Sequence, residues 1–131
     1  MDEGSVWESM LLAPQMKLDH YIVIADDNGM QIDGTTKDIV NLGNLTTKAA
    51  EFGWFAMDVD GHDPAAISDA IDVCKQAGRP AFINMHTIKA KGWPRYEGQV
   101  GSHWVGGIRK EDVAEPVTQL EAEIQRLRMS V

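Results

Sequence analysis

The sequence predicts an α/β fold, a partial parallel sheet with flanking helices. Three observations carry that expectation. Residues 21–25, 55–59 and 81–85 are short apolar runs of strand length, bounded by turn-forming residues. Helix-length patterns lie between them, which is the order of βαβ units and of a parallel sheet. Only three strands are legible, whereas parallel sheets normally extend further and are covered on both faces. Further strands are therefore expected from elsewhere.

The elements follow in chain order. Residues 5–16 read as a mostly apolar helix with Val6, Met10 and Ala13 on one face, and Pro14 should end or kink it. Residues 21–25 form the first strand. Residues 38–42 and 45–52 read as short helices around the Gly43-Asn44 break, and 55–59 as the second strand. Asp63 is a good N-cap and Pro64 a good first helical residue. Ala66, Ile67, Ala70, Ile71 and Cys74 then make a core-facing stripe, and Gly78 is the expected stop. Residues 81–85 form the third strand. Residues 92–110, rich in glycine and aromatics, read as an ordered loop.

The last helix is expected to begin near Glu115-Pro116, within an amphipathic C-terminal segment spanning 113–131. Val113, Val117, Leu120, Ile124 and Leu127 are spaced four, three, four and three residues apart. That narrow apolar seam could face its own sheet or another chain.

At 131 residues the length favours one domain, 1–131, with enough chain to bury a core. A net charge of −8 argues against nucleic acid and against an anionic membrane surface. No apolar stretch approaches the ~20 residues needed to span a bilayer. The acidic N-terminal residues show no secretory signal. One cysteine, Cys74, excludes an intramolecular disulfide framework and fits a reducing cytoplasm. Without a basic patch, Trp7, Trp54, Trp93 and Trp104 read as core and interface aromatics rather than base-stacking platforms.

The most informative segment is 26–34, Asp-Asp-Asn-Gly-Met-Gln-Ile-Asp-Gly, directly after the first strand. Ligands of open α/β sheets bind outside the carboxyl ends of the strands. Hard oxygen donors there suit Mg²⁺ carrying phosphates, an ion that takes about six oxygens at ~2.1 Å. The ordinary alternative is a turn rich in Asp, Asn and Gly because turns are.

Context favours the ligand reading. Glu3-Gly4-Ser5-Val6-Trp7-Glu8, Lys17-Leu18-Asp19, Phe52-Gly53-Trp54, Asp58-Val59-Asp60-Gly61-His62-Asp63 and His86-Thr87-Ile88-Lys89-Ala90-Lys91-Gly92 accompany the segment in order. Together they resemble the thiamine-diphosphate-binding domain of transketolases, from about Asp2 to Gly92 and more weakly to His103. The run 26–34 looks more like transketolase than like the pyruvate dehydrogenase first components or the deoxyxylulose-phosphate synthases. The resemblance implies that the chain is the C-terminal half of such a domain.

It further implies thiamine diphosphate and Mg²⁺ as cofactors, with the Asn28 side chain and the Met30 carbonyl as metal ligands. Ile32 and Ile88 match positions near the thiazolium ring. Glu3 and Glu8 match acids that link paired active sites, although acids are also favoured in a first helical turn. His103 resembles a late histidine near the diphosphate and substrate, but Trp104 follows it where the family has glycine. His62 reads as a turn-ordering histidine or a catalytic one, and His86 as structural.

A Gly-Asp-Gly triplet that supplies the family's third metal ligand would fall just before Met1. Asp2 differs from it in register and lacks flanking glycines. The resemblance thus implies partner subunits carrying that triplet and the pyrimidine-binding domain, in a hetero-oligomer or a dimer of heteromers. The expected activity is transfer of a two-carbon ketol or an acyl unit, with a sugar phosphate or 2-oxoacid as substrate. The alternatives are a component of a 2-oxoacid decarboxylase or dehydrogenase, and a non-catalytic assembly remnant. Pro14, Ala90 where the family commonly has glycine, and Trp104 favour the remnant; the intact 26–34 run opposes it.

Overall fold

The computed structural model describes residues 1–129. The chain divides into two compact units, Met1–Thr87 and Ile88–Val131.

The first unit is an α/β layer structure. Helix α1 (Gly4–Gln15) precedes strand β1 (Ile22–Asp27). A small hairpin, β2 (Met30–Gln31) and β3 (Gly34–Thr35), leads into the short helices α2 (Thr36–Ile39) and α3 (Leu45–Glu51). Then come β4 (Phe55–Asp60), α4 (Pro64–Lys75) and β5 (Ala81–His86). The main sheet is wholly parallel in the order β1-β5-β4. β5 is central and pairs Ala81 with both Ile22 and Phe55, so the three carboxyl ends finish together at Asp27, His86 and Asp60.

Alternation along β5 splits the core into two. Phe82 points to one face, where Met10, Ala13, Leu45, Ala49 and Trp54 from the α1 and α3 side pack against it. Ala81 and Ile83 point to the other, against Ala70 and Cys74 of α4, with Ala66, Ile67 and Ile71 packed alongside. Residues 81–84 are buried on both faces, as a central parallel strand requires.

Pro14 is accommodated by a specific bond. The Met10 carbonyl would normally accept from the N–H four residues on, which proline lacks. The Trp54 indole Nε1–H donates to that carbonyl instead, at 2.7 Å. α1 then runs only one residue past Pro14.

Capping explains where sequence boundaries and structure differ. The helix expected at 38–42 starts at Thr36, because the Thr35 hydroxyl accepts from the Asp38 N–H. Asn44 and Asp63 cap α3 and α4 in the same way, and Pro64 occupies the first turn of α4 as expected. The β2–β3 hairpin carries no signal beyond its turn residues.

The second unit contains a 3₁₀ helix (Val100–Trp104) and the long helix α5 (Lys110–Met129). α5 begins five residues before Glu115. The Asp112 carboxylate accepts the Arg109 backbone N–H at 2.9 Å, a capping arrangement, and Arg95 pairs with it at 3.0 Å. The end of the 113–131 segment, Ser130 and Val131, lies outside the described residues. Ala90 sits at φ 57°, a left-handed conformation that suits the glycine it stands in for. No helix among the described residues is long and apolar enough to cross a membrane.

Candidate functional site

The site is built where β1 ends. Asp26 and Asp27 close the strand, and the chain turns at Asn28 and Gly29 (φ 70°). Asn28 Oδ1 accepts the Met30 N–H at 2.9 Å, so the amide holds its own turn. The Gly29 carbonyl accepts from Thr36 at 2.9 Å and ties the loop to the start of α2. At Gly34 a Cβ would stand 2.9 Å from the tip of the Ile39 side chain, so a larger residue there would have to displace Ile39. Ile32, at the hairpin tip, is 52% exposed and sits at φ 42°. A β-branched residue in that region is strained by about 1–3 kcal/mol, and such strain concentrates at functional sites.

Beside this loop lies a cavity of about 270 Å³, lined among others by Asp2, Asp26, Asp27, Asn28, Met30 and Lys37. Asp2 Oδ1 is buried with no hydrogen-bond partner. Among the described residues no group of three or more His, Cys, Asp and Glu is arranged as a metal site. Any cation here would therefore rest partly on amide and carbonyl oxygens.

The structure brings Asn28 and Met30 together on this cavity. Glu3 and Ile32 belong to the same unit but do not line it. Glu3 occupies the N-cap of α1 without a side-chain cap bond, and it is exposed. Ile88, 42% exposed, and His103 belong to the second unit. His103 stacks edge-on against Trp104, ring centroids 4.8 Å apart, inside the 3₁₀ helix.

Of two further features of the lining, one escaped the sequence reading and the other was discounted in it. Lys37 brings a positive charge to a wall carrying three aspartates. Asp2, set aside by register, lines the same cavity as Asn28. Neither lies in the 26–34 run, so only folding could show them.

A polar network crosses the carboxyl edge of the sheet on the face that carries Phe82. Asn84, 3% exposed, donates through Nδ2 to Asp58 at 3.0 Å and to Asp27 at 3.2 Å. His86 lies 2.8 Å from Asp58 through Nε2 and 3.6 Å from Asp27 through Nδ1. On the opposite face Thr87 donates to Asp26. His86 thus ties β1 to β4, a structural role that agrees with the sequence reading. The network also anchors Asp27, the residue before Asn28.

Burial pushes the Asp58 carboxyl up, but hydrogen bonds from Asn84 and His86 and the His86 charge outweigh it and hold Asp58 below its ordinary value of 3.8. A lowered folded value means that stability tied to Asp58 is complete above the ordinary value and is lost as pH falls through the folded one. Asp58→Asn should therefore flatten the acid limb of stability below about pH 4. Urea titrations at successive pH values measure this, and an unchanged acid limb would count against the network.

The family model described as transketolase, thiamine diphosphate binding domain, matches residues 1–126. The chain belongs to the transketolase thiamine-diphosphate-binding domain family. Among curated relatives it is similar to 6-deoxy-6-sulfo-D-fructose transketolase subunit SqwG of Clostridium sp. (strain MSTE9), 43% identical over 78% of this chain and 38% of the relative. It is also similar to an apulose-4-phosphate transketolase subunit of Actinobacillus succinogenes, 34% identical over 88% of this chain and 41% of the relative. The chain thus spans about two-fifths of the length of these subunit-type relatives. Transketolase from Campylobacter jejuni shares the fold with a TM-score of 0.81 at 30% identity, over 89% of this chain and 18% of that one. The neighbours agree with the α/β, parallel-sheet reading of the sequence.

Proposed function

We propose that this chain is the cofactor-binding component of a split, transketolase-like transferase that works with thiamine diphosphate and Mg²⁺. The observation that carries the reading is the Asn28–Gly29–Met30 turn at the carboxyl end of β1, on a cavity whose wall also carries Asp2, Asp26 and Asp27. Asp2 Oδ1 is buried without a donor while the Met1 ammonium lies 4.0 Å from Oδ2, so the Asp2 carboxylate adds to the negative charge of that wall. Asn28 Oδ1 keeps a second lone pair beside the one given to Met30, so turn and metal can share it. The Met30 carbonyl is the other ligand in this reading. Amide and carbonyl oxygens add no charge, which leaves room for a diphosphate.

When bound, thiamine diphosphate supplies the thiazolium on which a two-carbon ketol or acyl unit is carried, while the protein orients and polarises. Ile32 and Ile88 are assigned to the apolar wall of that ring, Glu3 to the link between paired sites, and His103 to the substrate. Partner chains are assigned the Gly-Asp-Gly aspartate and the pyrimidine-binding domain. The subunit-type names of the relatives support a partnered enzyme, and their ketose names support ketol transfer over 2-oxoacid decarboxylation. Cytoplasmic placement fits the one cysteine, Cys74, which is buried and whose thiol burial pushes up.

Calorimetry tests the reading. The chain alone should bind thiamine diphosphate with Mg²⁺ weakly or not at all, and tightly once partners are added. Submicromolar binding by the chain alone, about −8 kcal/mol or better, would overturn the role given to partners.

A further inference from the structure

We propose that α5 joins this chain to a second copy of itself as a short, parallel, two-stranded coiled coil along residues 113–127. This goes beyond the cofactor reading and does not depend on it. In heptad terms Val117 and Ile124 occupy a positions, and Val113, Leu120 and Leu127 occupy d positions. β-branched residues at a with leucine at d favour two parallel strands over higher assemblies. The last four seam residues are exposed by 46%, 52%, 48% and 54% in chain order, on a continuous helix. Pro116 lies before these four, so their helical hydrogen bonding is uninterrupted.

Charge selects the occupant. Glu123 stands at a g position, and Glu121 and Arg128 at e positions. In a parallel pair each g residue faces the e residue of the following heptad on the other helix. Glu123 of one copy therefore meets Arg128 of the other, twice by symmetry. In an antiparallel pair g faces g, and the match is lost. Within one helix Glu123 pairs with Arg126 at a c position, one turn on, and association exchanges that exposed pair for the one across the seam. The surface is self-complementary, as a two-fold interface requires.

Sedimentation equilibrium of the full chain should show a reversible dimer in the micromolar range. Ile124→Glu should weaken it by at least tenfold while circular dichroism shows the fold intact. Glu123→Arg and Arg128→Glu should each weaken self-association, by roughly tenfold, through like charges at both pairs. Mixed together, these two variants should restore a dimer of one copy of each, because both pairs become opposite in charge again. Leu120→Cys should form an interchain disulfide on mild oxidation, since equivalent d positions meet in a parallel pair, while the buried Cys74 stays out of the reaction. A chain that stays monomeric at high micromolar concentration would overturn the proposal. So would a dimer indifferent to Ile124→Glu, or a mixture of the two charge variants with no preference for the mixed pair.

Discussion

Asn28→Ala should raise the Mg²⁺ and thiamine diphosphate concentrations needed for half-maximal activity of the assembled enzyme by at least about tenfold. The substitution removes one oxygen from the ion and also the acceptor that holds the Met30 N–H at 2.9 Å. Asn28→Asp separates the two effects, because it keeps an acceptor for the turn and adds a charge beside the diphosphate. The reading requires partial recovery of rate at saturating cofactor in Asn28→Ala, since the reacting centre of the cofactor is untouched. His103→Ala, assigned to substrate, should keep its defect under the same conditions. The measurement is a matrix of initial rates against Mg²⁺ and cofactor, made on the complex recovered with the chain. Normal activity of Asn28→Ala at limiting Mg²⁺ would remove the central assignment.

Trp54→Ala should cost about 3–5 kcal/mol, a large share of the ~5–15 kcal/mol by which a domain is stable. Trp54 is 1% exposed, sits in the cluster with Phe82, Met10 and Ala13, and meets Tyr21 with ring centroids 5.8 Å apart. Its indole N–H is also the donor that replaces the missing one at Pro14. Trp54→Phe keeps much of the apolar volume but strands the Met10 carbonyl, at a cost of about 1–3 kcal/mol. Adding Pro14→Ala to Trp54→Phe restores a backbone N–H to that carbonyl and should recover part of the loss. A double-mutant cycle by urea unfolding should give a coupling of about 1 kcal/mol. Strict additivity would mean that the indole–carbonyl bond does not compensate for the proline. On this account Pro14 is an accommodated, half-buried residue, so it no longer favours a remnant that has lost its function.

Much of the fold was legible because its causes are local. Three apolar runs, an Asp63-Pro64 start and the Ala70–Cys74 stripe each act within a few residues, so pattern reading finds them. The misplaced starts of α2 and α5 share one cause. Thr35 and Arg109 open those helices through bonds to Asp38 and Asp112, which helical propensity does not register.

The sequence alone determined the strand-end loop at 26–34, its oxygen donors, and a resemblance specific enough to name a family. Those are properties of neighbours in the chain. Only the tertiary structure decided that Asp2 and Lys37 share a cavity with Asn28, that Trp54 completes the Met10 carbonyl, and that His86 sits between Asp27 and Asp58. Most of those partners lie tens of residues apart, and the parallel register that ends β1, β4 and β5 on one edge is what sets His86 between Asp27 and Asp58. That register is set by burying Phe82 on one face and Ile83 on the other, a constraint that acts on the whole sheet at once.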